Sequence, residues 1–268
     1  MGMDKVISGG QEIAFKFERP VNQPSEGRVV TLINGFARTH TDFKIMSRRL
    51  LEHGHSVLMF DNRGSGFSPS QGKFEFEDMV RDVEVLWNHL GIQRSVVVGI
   101  SMGGMIAQCL ASRSQVPTGT VLVSTASGKE YFTKHQVAPR GKEEDVREAL
   151  NHYFHPNFIS GNKILFDAMV KQLSKNSEKG EDDTSNLAGQ REAIRRFEFS
   201  SVDYSKIDHP VLILHGDSDE VILPDSASNL KSKLPQASLK IYEGCGHLIL
   251  AEKPKLFYDD VLGFLDGR

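Results

Sequence analysis

The chain has 268 residues, 39% hydrophobic and 25% charged, enough apolar mass for one sizeable core domain carrying an insertion. A formal net charge of -3 leaves no global basic field, so nucleic acid and anionic membranes are not expected partners, and no apolar run approaches membrane-spanning length. Two cysteines do not suggest a disulfide framework, and the opening MGMDKVISGG has no apolar signal region, so the expected compartment is the cytoplasm.

Along the chain, Val6-Ile7 and Ile13 to Phe17 flank Gly9-Gly10 and predict an antiparallel hairpin. From there short apolar runs alternate with helical patterns. Val29 to Ile33 precedes a helix over Thr41 to His53 closed by Gly54, and Val57 to Phe60 precedes one over Phe76 to Leu90 closed by Gly91. Val96 to Ile100 leads into Met102 to Arg113, and Thr120 to Ser124 follows. Continuous apolar strands between helices predict an α/β fold, a doubly wound, mostly parallel sheet of about eight strands covered on both faces.

Between about Ser127 and Ile207 the strand runs stop. Helical patterns at Glu143 to Tyr153, Lys163 to Leu173 and Gln190 to Phe199 follow one another, predicting a helical cap over 127–206 inserted into a core made of 1–126 and 207–268. The polar stretch Lys175 to Asn186, KNSEKGEDDTSN, reads as a mobile loop joining cap helices. The cap aromatics Phe132, Tyr153, Phe154, Phe158 and Phe166 either line an apolar pocket or bury the cap, and packing is the expected role of any single one. The alternation resumes with Val211 to Leu214, a helix over Asp225 to Leu234, Leu239 to Tyr242 and a helix over Pro254 to Leu265. There is no internal repeat.

Chemistry concentrates at Ser95 to Gly104, SVVVGISMGG, where an apolar run breaks at Gly99 and delivers Ser101 between two glycines. A serine at the apex of so tight a strand-to-helix turn takes strained backbone angles, and Gly99 and Gly103 leave room for the turn. Its hydroxyl then stands clear of the backbone. The amide of Met102 begins the next helix, where unpaired N–H groups and the helix dipole favour an oxyanion.

A serine hydroxyl needs an imidazole to take its proton and a carboxylate to orient that imidazole. In a doubly wound sheet such groups gather past the carboxyl ends of the strands. After Val211 to Leu214 comes HGDSDE, offering Asp217 and Asp219, and after Leu239 to Tyr242 comes EGCGH, offering His247. Of ten histidines only His247 follows the last strand in a glycine-rich turn; the others, including His40, His152 and His155, are read as non-catalytic. No histidine-rich or paired-cysteine spacing asks for a metal, and neither a Walker pattern nor a dinucleotide fingerprint is present, so no cofactor is expected.

These motifs together resemble the α/β-hydrolase superfamily, in particular its esterase, lactonase and carbon–carbon hydrolase branch. The resemblance rests on GISMGG, the NGF turn at Asn34 to Phe36, DNRGSGFS at Asp61 to Ser68, HGDSDEVILP ending at Pro224, and GCGH at Gly244 to His247. It implies Ser101 as nucleophile, His247 as general base and then acid, and Asp219, third after the glycine, as the orienting acid in preference to Asp217. By position it makes the amides of Phe36 and Met102 the oxyanion donors, with Asn34 departing from the family's common histidine. The Asp61 to Gly64 loop is expected to be structural, its charged pair supporting the floor of the site. The implied activity is cleavage of a carboxylic ester, lactone or thioester through an acyl-enzyme; GISMGGMIAQ also looks like the elbow of enol-lactonases. Carbon–carbon bond hydrolysis of diketones, acyl transfer, and a ligand-sensing receptor on the same fold remain alternatives. The expected partner is a small acyl substrate, with the substrate-binding residues and oligomeric state not legible.

Overall fold

A computed structural model describes residues 2–21, 27–70, 73–135, 138–178 and 184–267. Its framework is an eight-stranded sheet of β1 (Asp4–Ser8), β2 (Gln11–Glu18), β3 (Val29–Ile33), β4 (Ser56–Phe60), β5 (Ser95–Ile100), β6 (Pro117–Val123), β7 (Val211–Gly216) and β8 (Ser238–Tyr242). The spatial order is β1-β2-β4-β3-β5-β6-β7-β8. The β1–β2 hairpin is antiparallel and β2 runs antiparallel to β4, while every other pairing is parallel, as the alternation of strands and helices requires.

Helices cover both faces. On one side α2 (Phe76–Leu90), α3 (Met102–Arg113) and α8 (Asp225–Lys233) bury residues such as Trp87, Ile106 and Leu230 against Val97, Leu122 and Ile213. On the other, α1 (Lys44–Glu52) and α10 (Pro254–Leu265) bury Met46, Leu50, Phe257 and Val261 against Val30, Val98 and Leu214. The central strands β5 and β7 are buried along their whole length, which is why they read as unbroken apolar runs. Helix α2 shows why its ends were legible. Glu75 and Asp78 form a reciprocal capping box at its start, and Gly91 closes it at φ +66°, a left-handed conformation suited to glycine.

Among the described residues, the chain between β6 and β7 contains helices and no strand. They are α4 (Glu143–Tyr153), α5 (Pro156–Gly161), α6 (Lys163–Glu178) and α7 (Thr184–Arg196). Val146, Leu150, Phe154, Phe166 and Val170 form a small core of their own between α4 and α6, against which Leu248 packs. Phe154 stacks on Phe158 at 4.9 Å and meets Phe166 edge-on at 6.0 Å, so three of the five cap aromatics serve packing. Helix α7 instead joins the main core, where Phe197, just past its end, lies 4.2 Å from the Phe76 ring. The polar stretch read as a loop over Lys175 to Asn186 is corrected in part. Helices α6 and α7 extend into it from both sides, because a polar sequence remains helical where one face of the helix is buried; residues 179–183 lie outside the described residues.

The loop after β4 also differs in detail from expectation. Asp61 and Arg63 do not pair with each other. Asp61, fully buried, accepts hydrogen bonds from the His40 amide at 2.7 Å and the Phe67 amide at 2.9 Å, with His40 Nδ1 at 2.8 Å. Arg63 donates through Nε and Nη2 to the two oxygens of Asp82 on α2 at 3.0 and 2.6 Å and reaches the Ser8 carbonyl, tying the hairpin to the helix layer. Each charge is satisfied separately, and the loop is structural.

Candidate active site

The strand β5 ends at Ile100 and the helix α3 begins at Met102, leaving Ser101 alone to turn the chain at φ 54° and ψ -117°. A non-glycine residue in that region is strained, and the surroundings hold it there. The Ser101 amide donates to the Val123 carbonyl at 2.8 Å, and its carbonyl accepts from Thr125 Oγ1 at 2.7 Å. The flanking glycines are sterically required. A Cβ at Gly99 meets the Gly103 carbonyl oxygen at 2.3 Å, and one at Gly103 meets the Ile33 carbonyl oxygen at 2.1 Å.

Three residues from the ends of three strands converge. Ser101 Oγ lies 3.2 Å from His247 Nε2, and His247 Nδ1 donates to Asp219 Oδ2 at 2.8 Å. All three are buried. The other oxygen of Asp219 accepts the amides of Val221 at 2.8 Å and Ile222 at 2.9 Å. Burial opposes ionisation of Asp219, but the His247 charge, the hydrogen bonds from His215 and His247 and the nearby His215 outweigh it and hold the carboxyl well below the ordinary aspartate range. Asp217 points elsewhere: its two oxygens accept the amides of Gly244 at 3.0 Å and Cys245 at 3.3 Å. It ties the end of β7 to the turn that carries His247.

Several supporting groups escape sequence reasoning. His215 Nε2 donates to the Ile222 carbonyl at 3.0 Å and lies 3.2 Å from Asp219 Oδ2, bracing the acid from behind. Glu252, on the short helix α9 (Ile249–Glu252), accepts the Gly246 amide at 2.8 Å and the His155 amide at 3.0 Å. The Tyr153 carbonyl at the end of α4 accepts the His247 amide at 2.9 Å, and the Tyr153 ring meets the His247 ring edge-on at 5.4 Å. Gly246 has to be glycine here, since a Cβ would sit 2.8 Å from that carbonyl oxygen. None of these pairings has a sequence spacing that announces it; only the apolar-to-polar change at each strand end marks the region.

The Asn34-Gly35-Phe36 turn lies against the serine, with a Cβ at Gly35 falling 3.3 Å from Ser101 Cβ. Asn34 stabilises its own loop: Oδ1 accepts the Gly35 amide at 2.8 Å, and Nδ2 donates to the Thr39 carbonyl at 2.7 Å and to Asp42 at 3.0 Å. From α7, the buried Gln190 accepts the Ala37 amide at 3.0 Å and donates to the Arg63 carbonyl and Ser65 Oγ, so the helical segment braces this loop too. A cavity of about 240 Å³ opens over Ser101 and His247. Ile100, Val123 and Val221 form its core side, while Leu150, Met169 and Leu173 from α4 and α6 face them. Phe36 and Tyr153 also line it, as do Arg38 and Asp42, which bind each other bidentately at 2.7 and 2.6 Å.

A mostly parallel eight-stranded sheet that presents a strained serine at the turn after its fifth strand has the α/β-hydrolase fold, the superfamily the sequence motifs resemble. Within it, the chain belongs to the serine aminopeptidase, S33 family, whose profile matches residues 24–254, and it is a hydrolase of that superfamily. Curated relatives include the non-heme chloroperoxidase of Streptomyces lividans, 28% identical over 261 residues that cover 90% of this chain and 93% of the relative. The sn-1-specific diacylglycerol lipase ABHD11 of Mus musculus is 26% identical over 249 residues, covering 88% and 80%. Among solved structures, the enol-lactonase from Burkholderia xenovorans LB400 aligns with a TM-score of 0.81 at 20% identity, over 98% of this chain and all (100%) of its own. The meta-cleavage product hydrolase CumD from Pseudomonas fluorescens IP01 aligns at 0.83 with 18% identity, over 99% and 98%. Among the described residues no helix is long and apolar enough to cross a membrane.

Proposed function

We propose that the protein cleaves a carboxylic ester, lactone or thioester of a small, largely apolar acyl group by a serine acyl-enzyme mechanism. The observation that carries this reading is the hydrogen-bonded chain Ser101–His247–Asp219, at 3.2 and 2.8 Å, opening into an apolar cavity. His247 Nε2 takes the Ser101 proton as Oγ attacks the carbonyl carbon, and the carbon–oxygen or carbon–sulfur bond breaks as the same proton passes to the leaving group. Water then attacks the acyl-enzyme, giving its proton to His247, and Ser101 is regenerated with release of the acid. Asp219 keeps Nδ1 protonated and stabilises the imidazolium that forms. The amides of Phe36 and Met102 receive the oxyanion. Their placement, one on the turn against Ser101 and one at the first residue of α3, supports that role.

The cavity favours an acyl substrate without an ammonium group. Among the described residues its one lining carboxylate, Asp42, is already held by Arg38 and Asn34 and so is not offered to a substrate cation. The other polar lining comes from the catalytic groups, the Asn34 to Arg38 loop and the rings of Tyr153 and Tyr258, and most of the remaining walls are apolar, which suits an apolar acyl portion. A fluorophosphonate probe is expected to label Ser101 alone, and Ser101→Ala to lose labelling and about 10⁵- to 10⁶-fold of turnover. A panel of esters, lactones, thioesters, diketones and aminoacyl p-nitroanilides ranks the chemistry. Folded protein that neither labels at Ser101 nor turns over any ester, lactone or thioester defeats the proposal.

A further inference from the structure

Outside the catalytic residues, one group of metal-ligating side chains gathers among the described residues: His135, His152 and Glu220, with one ligand atom from each lying within 4.8 Å of the others. The three come from separate segments. His135 belongs to the chain leading from β6 to α4, His152 to the last turn of α4, and Glu220 to the loop between β7 and α8. Backbone contacts bring them together. Phe132 pairs with Ile222, the Thr133 amide donates to the Val221 carbonyl at 3.2 Å, and Thr133 Oγ1 donates to the Glu220 carbonyl at 2.6 Å. This short bridge sets His135 beside Glu220. Helix α4 then lays the His152 ring on that of His135, with centroids 3.5 Å apart, and puts His152 Nδ1 2.6 Å from Glu220 Oε2.

We propose that His135, His152 and Glu220 form a binding site for a zinc-class divalent ion where the end of α4 meets the loop that carries Asp219. Two imidazoles and one carboxylate suit Zn²⁺, Co²⁺ or Ni²⁺, whereas Ca²⁺ and Mg²⁺ prefer all-oxygen sites. Ligand atoms about 2.0–2.1 Å from a tetrahedral ion stand about 3.3 Å from one another. To reach that arrangement the stacked His135 and His152 rings, now at an interplanar angle of 22°, turn apart so that a nitrogen of each faces the ion, and the freedom for this exists, since the side chains of His152 and Glu220 are 29% and 60% exposed. The ion comes between His152 and Glu220 in place of their direct contact. Three protein ligands leave one position for water.

The site's location gives such an ion a consequence. Glu220 follows Asp219 directly, and His152 precedes Tyr153, whose carbonyl holds the His247 amide and whose ring borders His247. Two of the ligands are thus one residue away from groups that hold the catalytic histidine. Binding an ion fastens the C-terminal end of α4 to the loop that carries Asp219, a clamp between the helical segment and the sheet. Removing the ion leaves the weaker hydrogen bond and ring stack already present.

Isothermal titration of ZnCl₂ into chelator-stripped full-length protein at pH 7.5 tests this, with Co²⁺ absorption as an independent report of mixed nitrogen and oxygen ligation. The expected result is one ion per chain, and a melting temperature higher by roughly 5–10 °C at a Zn²⁺ concentration a hundred times Kd. His135→Ala, in a loop, and Glu220→Gln are each expected to weaken binding at least about tenfold, and His135→Ala/His152→Ala to abolish stoichiometric binding. Circular dichroism establishes that each variant is folded, and His135→Ala carries the test if His152 variants are not. Absence of saturable binding to the wild type, or unchanged affinity in folded His135→Ala, overturns the proposal. Neither readout requires turnover, so the result stands apart from the assignment of the reaction.

Discussion

Asp217 and Asp219 leave the end of β7 two residues apart, and their side chains serve different partners. Asp219 is buried, bonded to His247 and braced by two amides and His215, while Asp217 is exposed and fastens the Gly244–Cys245 backbone. Asp219→Asn is therefore expected to lower kcat by about 10³- to 10⁴-fold, because an amide can no longer enforce the Nδ1-protonated tautomer or stabilise the imidazolium. Asp217→Asn keeps an acceptor for one of its amides and is expected to lower kcat less than about tenfold, so steady-state kinetics on the pair discriminates them. An equal loss in both contradicts the assignment. The acid limb of stability should change as well. Because the Asp219 carboxyl is depressed in the folded state, its stabilisation is complete above the unfolded value of about 3.9 and is lost as pH falls through the lower folded value. Asp219→Asn lacks that contribution throughout, so its melting temperature should depend less on pH below about 4. Chain order and the glycine-rich turn pointed to His247 and to the Asp217–Asp219 pair, and the preference for Asp219 came from the family resemblance. His215 and Glu252 were not legible, since each acts through a contact that exists only after two strand ends are side by side.

At the scale of elements, the turn from β5 to α3 is legible because its constraint is local. Gly99, Ser101 and Gly103 report the same tight turn that the structure contains, and the helix boundaries at Met102 and Arg113 agree with the sequence pattern. What the pattern lacks is the identity of the neighbour. The atom nearest a Cβ at Gly103 is the Ile33 carbonyl oxygen at the end of β3, followed by that of Asn34, so this glycine also sets how closely α3 approaches the Phe36 loop. Gly103→Ala forces those strands and helix apart and is expected to destabilise by about 1–3 kcal/mol, with a larger fractional loss in kcat than Gly263→Ala, where a Cβ meets nothing within 4 Å. Chemical denaturation together with initial rates measures both, and a Gly103→Ala enzyme as stable and active as the wild type refutes the packing argument. The helices between β6 and β7 were read with less success at their ends, because α6 and α7 carry polar residues past the point where composition alone suggests a loop. Burial of one face, at Phe166 and Val170 on α6 and Gln190 and Ala193 on α7, sustains them.

Across the whole molecule, two apolar layers cover opposite faces of the sheet, and buried polar ties fasten loops and the hairpin to them. Arg63–Asp82 is one such tie, a bidentate pair almost fully withdrawn from water. Asp82→Ala leaves the guanidinium buried without its carboxylate and is expected to cost about 3–5 kcal/mol, read by urea denaturation, although neither side chain lines the cavity. The two cysteines allow both layers to be monitored at once, since Cys109 on α3 belongs to the layer it forms with α2 and Cys245 to the layer that includes α1 and α10. Both are buried and unbridged. Burial pushes the Cys109 thiol up to about 12 and raises Cys245 further, against which the nearby Arg113 and Lys253 charges weigh little. At pH 8 the thiolate fraction of Cys109 is then on the order of 10⁻⁴, and the thiolate is the nucleophile toward an aromatic disulfide reagent. The native protein should accordingly release no rapid chromophore, while two equivalents should appear in denaturant. In the native state the slow labelling rate should rise in parallel for both sites as Asp82→Ala lowers the global unfolding free energy, because neither thiol is reached without opening its layer. Fast labelling of one cysteine alone in the wild type means that its layer opens independently of the other, and that the sheet does not unite them into a single cooperative unit.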